Sequence, residues 1–185
     1  MAVKPKDKRI SVKIERCMSC HTCEIACAIA HSSSKDLETI AATDERPGYR
    51  LSVESFREKG VPVLCQHCDD PACLMACPTG AIHRNGESGP VLYEEDRCIG
   101  CRMCVQACPF GVIAVKPDGK RVLKCDLCIE RLAQHKLPAC VAACPTAALE
   151  FADSEESNKE KRQKTAEQIV AAQASATETT GGQQA

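Results

Sequence analysis

Sixteen of the 185 residues are Cys, and they stand in four runs of four with none left over. The first run is Cys17-x2-Cys20-x2-Cys23-x3-Cys27, and the third is Cys98-x2-Cys101-x2-Cys104-x3-Cys108, followed by Pro109. The second, Cys65-x2-Cys68-x4-Cys73-x3-Cys77, and the fourth, Cys125-x2-Cys128-x11-Cys140-x3-Cys144, are looser and end on Pro78 and Pro145. Thiolate sulfur is a soft ligand, and this spacing suits a 4Fe–4S cubane. Three thiolates two residues apart lie on one tight loop and cover one face of the cube, with backbone N–H groups turned toward its sulfides. A fourth Cys three residues on begins a helical turn, points the other way and closes a neighbouring cluster. The proline after it turns the chain away. Each run thus supplies three ligands to one cluster and one to another.

Two other uses of Cys compete with this one. Disulfides need an oxidising compartment. The N-terminal MAVKPKDKRISVKIER is basic but has no apolar stretch of the kind a secretory signal carries, and Lys8-Arg9 is not a twin-arginine pair. No apolar run approaches the roughly 20 residues of a membrane span. The expectation is a cytoplasmic protein whose thiols stay reduced. Zinc takes two Cys pairs a dozen or more residues apart, and only the fourth run has such a gap. A zinc-stabilised interaction module is therefore the alternative reading. A second alternative, a subunit with a substrate-activating cluster, needs an iron without a Cys ligand, and sixteen Cys for four cubanes leave none.

The two central runs are separated by PTGAIHRNGESGPVLYEEDR, which reads as a hairpin: Ala81–His83, a turn at Asn85-Gly86, then Val91–Tyr93. They make one module, and the first and fourth runs close a second around it. On its sixteen Cys, the Cys65-Gln66-His67-Cys68-Asp69-Asp70-Pro71 stretch, Asp96-Arg97-Cys98-Ile99-Gly100-Cys101, Lys124-Cys125-Asp126-Leu127-Cys128 and the three Cys-Pro pairs, the chain resembles a known family. It is similar to the four-cluster ferredoxin-type electron-transfer subunits of multi-subunit oxidoreductases, over roughly residues 8–151. These serve molybdenum and tungsten enzymes of the formate dehydrogenase and dimethyl sulfoxide reductase type, hydrogenases and carbon monoxide dehydrogenase. The Ala30-His31-Ser32 continuation looks most like the small subunits that serve carbon monoxide dehydrogenase or tungsten aldehyde oxidoreductase.

The resemblance implies four ligand sets and a relay function in anaerobic metabolism. Cys17, Cys20, Cys23 and Cys144 would hold one cluster, and Cys125, Cys128, Cys140 and Cys27 its module mate. Cys65, Cys68, Cys73 and Cys108 would hold the third, and Cys98, Cys101, Cys104 and Cys77 the fourth. Some members lose one Cys of the third run and carry a 3Fe–4S cluster. This chain keeps Cys101, so four 4Fe–4S clusters are expected. It lacks the C-terminal spanning helix of membrane-bound members.

The elements that must position these ligands are short, which makes the fold α+β: two ferredoxin-like modules and a C-terminal helical tail. Ile10, Val12 and Ile14 alternate with polar residues as a half-buried strand. Arg50–Glu54, Val61–Leu64, Val112–Val115, Arg121–Leu123 and Ala147–Phe151 are further strands, with a turn at Pro117-Asp118-Gly119. Helices are expected at Cys20–Ala30, Leu74–Cys77, Met103–Cys108 and Cys128–Gln134, and Ser32–Gly48 reads as a polar, irregular loop. His21 and His67 sit inside the runs as neighbours that pack against a cluster or donate hydrogen bonds to it. His31, His83 and His135 show no partner pattern.

Aromatics are 3 % of the chain and Trp is absent, so ordinary core residues are scarce and the clusters must fill the interior. With 24 basic and 25 acidic residues the net charge is −1, which makes no case for nucleic acid. Four oxidised cubanes would bring it to about −9. The first sixteen residues are basic and could offset that charge or remain a solvated tail. No phosphate loop, nucleophile elbow or zinc-protease motif is present, so a catalytic site is expected on a partner subunit. The four-cluster domain should span residues 1–152. From Asp153 the Cys stop, and Glu155–Lys159 and Glu160–Lys164 are i,i+4 pairs. Ala166, Ile169 and Val170 form a narrow stripe fit for docking a catalytic subunit or a second copy, and residues from Ser175 read as disordered. Residues 153–185 are thus read as a helical docking segment with a flexible end.

Overall fold

The computed structural model describes residues 8–87 and 89–180. In chain order the strands are β1 (Lys8–Val12), β2 (Leu51–Phe56), β3 (Lys59–Leu64), β4 (Ile82–Arg84), β5 (Val91–Tyr93), β6 (Ala114–Val115), β7 (Val122–Leu123) and β8 (Leu149–Asp153). The helices are α1 (Thr22–Ala30), α2 (Leu37–Ala42), α3 (Ala72–Met75), α4 (Met103–Ala107), α5 (Ile129–Ala133), α6 (Ala139–Ala142) and α7 (Ser154–Thr180). The strands pair two by two, β1 with β8 and β2, β4 and β6 each with the next. Every run of Cys lies between such ribbons, so the ribbons act as clamps at the mouths of the loops.

The β1–β8 pair joins the two ends of the Cys-bearing segment. Ile10 faces inward at its centre, the Lys13 N–H donates to the Ala148 carbonyl at 2.8 Å, and Lys13 pairs with Glu150 at 2.6 Å. Ile14 does not continue the strand as its alternation suggests. It opens a 3-10 turn, Ile14–Arg16, because the chain must bend there to enter the first Cys loop. β2 and β3 form a hairpin with Phe56 opposite Lys59. Arg57 and Glu58 make its two-residue turn at φ 47° and 65°, a conformation usually given to Asn-Gly. Within the segment read as irregular, Asp36 accepts the Thr39 N–H at 2.8 Å and caps α2.

Buried apolar side chains gather in two clusters. One holds Ile10, Leu51, Val53, Leu64, Leu127 and Leu149 around Cys23, Cys27 and Cys140. The other holds Ile82, Val91, Ile113 and Val122 around Cys104. Neither contains a Phe or Tyr among its buried members, so each is too small to organise a domain by hydrophobic burial alone.

The loops repeat one backbone device. The residue just before the second Cys of each run lies in the left-handed region: Ser19 at φ 56°, His67 at 45°, Gly100 at 72° and Leu127 at 59°. Only one of the four is Gly, so three loops carry the penalty of a side chain there, of order 1–2 kcal/mol each. Four repeats of the same left-handed turn, three of them under strain, mark a turn that the ligand geometry demands.

Residues 1–151 form one compact unit and residues 152–185 another. In the second, α7 is polar all round, with Ile169 and Val170 exposed and Glu155 paired with Arg162 at 3.1 Å. The helix continues past Ser175, where disorder was expected, to Thr180. The expectation for residues 181–185, like that for residues 1–7, falls outside the described residues. No helix among the described residues is long and apolar enough to cross a membrane.

The third loop offers a direct test of the turn. A Cβ on Gly100 would collide with the Lys120 carbonyl oxygen, besides adopting φ 72°. Gly100→Ala should lower the stability of the iron-loaded protein by roughly 1–3 kcal/mol in denaturant titration. An unchanged midpoint would show that this turn is not required.

Candidate metal centres

All sixteen Cys are free thiols. Three cavities, of about 310, 320 and 350 Å³ counting space open to solvent, are each lined by four of them. The first brings together Cys17, Cys20, Cys23 and Cys144. The second brings together Cys77, Cys98, Cys101 and Cys104, and the third Cys65, Cys68, Cys73 and Cys108. In each, three Cys come from one run and one from another. The remaining four also converge: Cys140 lies within electrostatic reach of Cys27 and Cys128, and Cys125 within reach of Cys27. Three sulfurs from one run and one from another around a common space are the ligand set that a 4Fe–4S cubane takes.

The thiols resist ionisation where they are deepest. Burial pushes Cys23 and Cys104 up to about 11 and Cys140 up to about 12, where the nearby Cys27 and Cys128 add to the effect. Burial also holds Cys125 well above its ordinary value. Cys77 and Cys144, each the lone Cys lent to another run's cavity, move the opposite way. Burial would raise both, but backbone N–H groups outweigh it, from Ile82 on Cys77 and from Leu149 and Ala148 on Cys144. The two sit in the same local frame, Cys-Pro-Thr, with Thr79 and Thr146 hydroxyls 3.7 and 3.8 Å from the sulfurs. A cationic iron guest is what converts the raised thiols to thiolates, and its binding must release their protons.

Around Cys27 and Cys128 lies a polar network that the sequence pattern did not show. His31 donates through Nε2 to the Asp126 carboxylate at 3.1 Å and through Nδ1 to the Cys27 carbonyl oxygen at 2.7 Å. Arg50 pairs with the same carboxylate at 2.9 Å, and its backbone N–H donates to the Cys27 sulfur at 3.4 Å. His31, Asp126 and Cys128 bring three potential ligand atoms within 4.8 Å. With Arg50 already on the carboxylate, hydrogen bonding suits this group better than a separate cation. Burial would raise Asp126, but His31 and Arg50 overcome it and hold the carboxyl below its usual range. Burial would lower His31, but hydrogen bonds to Asp126, Cys128 and Cys27 raise it to about 12.

The second run is held by cations. Arg9, from β1, donates to the Gln66 and His67 carbonyls at 2.5 and 2.9 Å and pairs with Asp69 at 2.6 Å. Arg84 donates to the Cys68 and Asp69 carbonyls at 2.7 and 2.8 Å. Part of the basic N-terminal segment thus braces this loop. His67 is buried against the same cavity; burial and the Lys124 charge hold it down at about 3, a neutral ring. His21 instead faces Glu24 at 2.9 Å on the surface.

Residues 57–154 match the family described as the 4Fe-4S dicluster domain, and residues 14–29 a 4Fe-4S binding domain. An iron-sulfur protein of Rhodospirillum rubrum is 40 % identical over 151 residues, covering 75 % of this chain and 78 % of that one. The B subunit of the anaerobic dimethyl sulfoxide reductase of Escherichia coli is 37 % identical over 149 residues, covering 78 % and 72 %. The thiosulfate reductase electron transfer subunit PhsB of Salmonella typhi is 38 % identical over 144 residues, covering 77 % and 74 %.

The His31–Asp126 pair carries a pH signature. The contribution of Asp126 is complete above its ordinary 3.8 and is lost as the pH falls below it. That of His31 is complete below 6.5 and declines as the pH rises from there toward 12. Asp126→Asn should therefore cost roughly 1–3 kcal/mol at pH 6, and the deficit should narrow by pH 9. Denaturation at both pH values checks this, and an equal deficit at both would contradict it.

Proposed function

The chain belongs to the 4Fe-4S dicluster domain family, and from that premise we propose how its sixteen cysteines form an electron path. It is a ferredoxin-type iron–sulfur subunit that relays electrons in an oxidoreductase complex, a role that leaves substrate chemistry to a catalytic subunit. The finer reading is four 4Fe–4S clusters in two modules with exchanged ligands. Cys17, Cys20 and Cys23 take Cys144; Cys125, Cys128 and Cys140 take Cys27. Cys65, Cys68 and Cys73 take Cys108; Cys98, Cys101 and Cys104 take Cys77. The observation that carries it is that three cavities are each lined by such a set, three thiols from one run and one from another. The two separate apolar clusters support the division into modules.

Each cluster, when bound, gains and loses one electron at a time. The order follows from the neighbours of each set. Cys20 and Cys101 are the exposed Cys residues, so their sets stand at the two ends. Cys65 and Cys125 feel one another's charge, so their sets meet in the middle. Exposed Met18 and Ile99, beside the first Cys of the two outer runs, give each end an apolar lip for a redox partner. That partner is a catalytic oxidoreductase subunit. A tungsten or molybdenum enzyme, a carbon monoxide dehydrogenase or a hydrogenase fits the resemblance, and the name of the Escherichia coli relative favours the first class. The exposed stripe of α7 is offered as a further docking element, for that subunit or a second copy. Sixteen thiols without a disulfide fit a reducing, cytoplasmic setting.

Anaerobically purified protein should hold about sixteen irons and as many acid-labile sulfides; about four zinc ions without sulfide would overturn the reading. The exchange is tested by comparing single variants. Cys144→Ser and Cys20→Ser should perturb the same electron paramagnetic resonance signal, and Cys128→Ser a different one. If Cys144→Ser instead perturbed the signal altered by Cys128→Ser, the pairing would be wrong.

A further inference from the structure

Lys124, immediately before the first Cys of the fourth run, is only 1 % exposed and is among the largest fully buried side chains. Arg16 and Arg97 hold the same place before the first and third runs, yet their side chains are 49 % and 53 % exposed. A cation at this register normally reaches water, and its burial in one run needs a local cause. Its three N–H donors have three acceptors: the Val91 carbonyl at 2.5 Å, the Cys125 carbonyl at 3.0 Å and the Cys65 sulfur at 3.7 Å. Among the described residues no carboxylate pairs with it. The anionic partner of this ammonium is therefore the ligand set that contains Cys65.

A second donor faces the same cavity. His67, 6 % exposed, accepts the Val91 N–H on Nδ1 at 3.2 Å, which leaves the ring proton on Nε2. That Nε2 is buried and has no partner among the described residues. Val91 thus uses its N–H to orient His67 and its carbonyl to hold Lys124, and both side chains line the cavity of Cys65, Cys68, Cys73 and Cys108. The outer sets are served differently. Cys144 receives the Ala148 N–H, Cys98 the Gly100 N–H, and Cys77 lies beside the Thr79 hydroxyl, all neutral groups. In the set of Cys27 and Cys128, His31 Nδ1 also lies 3.7 Å from the Cys27 sulfur, but the Asp126 carboxylate pairs with both His31 and Arg50 and offsets part of their charge.

Resting on the four-cluster reading above, we propose that Lys124 is a redox-positioning residue at the junction of the two modules. Its buried ammonium raises the reduction potential of the cluster held by Cys65, Cys68, Cys73 and Cys108, above that of the other three, and screens it from the neighbouring set of Cys125. An added electron brings negative charge, and a cation hydrogen-bonded to a ligand sulfur in a low-dielectric interior favours that state. The role is electrostatic: no bond forms or breaks and no proton moves.

The test is a redox titration of the anaerobic holoprotein followed by electron paramagnetic resonance, on wild type, Lys124→Gln and Lys124→Arg. In the Gln variant the reduced-to-oxidised ratio of one cluster should fall at least tenfold at a fixed potential, about 59 mV for one electron. The Arg variant should stay near wild type. In wild-type protein labelled with 15N-lysine, the same signal should carry a lysine nitrogen coupling and should be the first to appear on reduction. An unshifted Gln variant, an equal shift in both variants, or a first-reduced cluster without lysine coupling would overturn the inference. If the Gln variant fails to hold iron, the labelled wild type decides by that last criterion. Wild type lacking about sixteen irons would overturn the four-cluster reading and this inference together. Wild type with them and no Lys124 effect overturns this inference alone.

Discussion

Thiolates gathered four at a time repel one another and resist burial, and the rest of this fold is built to make that arrangement hold. Cys140, one of the buried sulfurs, is pushed up to about 12 by burial and by its neighbours Cys27 and Cys128. A protein with small apolar clusters and few aromatics has little hydrophobic energy with which to force such groups together. The left-handed turns at Ser19, His67 and Leu127 add strain to the same loops. Iron bound by these sulfurs removes their protons and repulsion at once, so metal binding and folding become one free energy. The short ribbons and one- or two-turn helices need only set the direction from which each run arrives.

The polar side chains divide the remaining work. Neutral backbone amides and threonine hydroxyls face the sulfurs at Cys144 and Cys77. At the other sulfurs charged groups appear in their place: Arg9 and Arg84 on the carbonyls of the second run, Lys124 on Cys65, and His31, Asp126 and Arg50 beside Cys27. Negative charge is hardest to accommodate away from water, and the buried Lys124 and the paired His31 and Arg50 stand beside such sulfurs.

The Cys register was legible because ligand spacing is local chemistry, and it carried the cofactor class and the relay role. The β4–β5 hairpin was legible for a similar reason, as Asn85-Gly86 advertises its turn. Both strands of the β2–β3 hairpin were legible as strands, but its turn was not, since Arg57-Glu58 gives no turn signal and its φ values are imposed by the strands it joins. The helix Leu37–Ala42 hid in a polar stretch, although Asp36 followed by Thr39 is a capping pattern that could have revealed it. Lys124 and His31 were invisible for a different reason. Their partners, Val91 and Cys65 for the one and Asp126 for the other, lie tens of residues away and become neighbours only when the runs fold together.

The most direct measurement of the central claim is amide hydrogen exchange on the holoprotein and on the same protein after anaerobic removal of iron. If bound clusters are the organising core, protection in β1–β8, in β4–β5 and in the helices that carry Cys23, Cys104 and Cys140 should be lost together when iron leaves, with no cooperative thermal transition remaining. Apoprotein that kept protected amides in those elements and melted cooperatively would show that the polypeptide holds itself together and that the clusters are passengers.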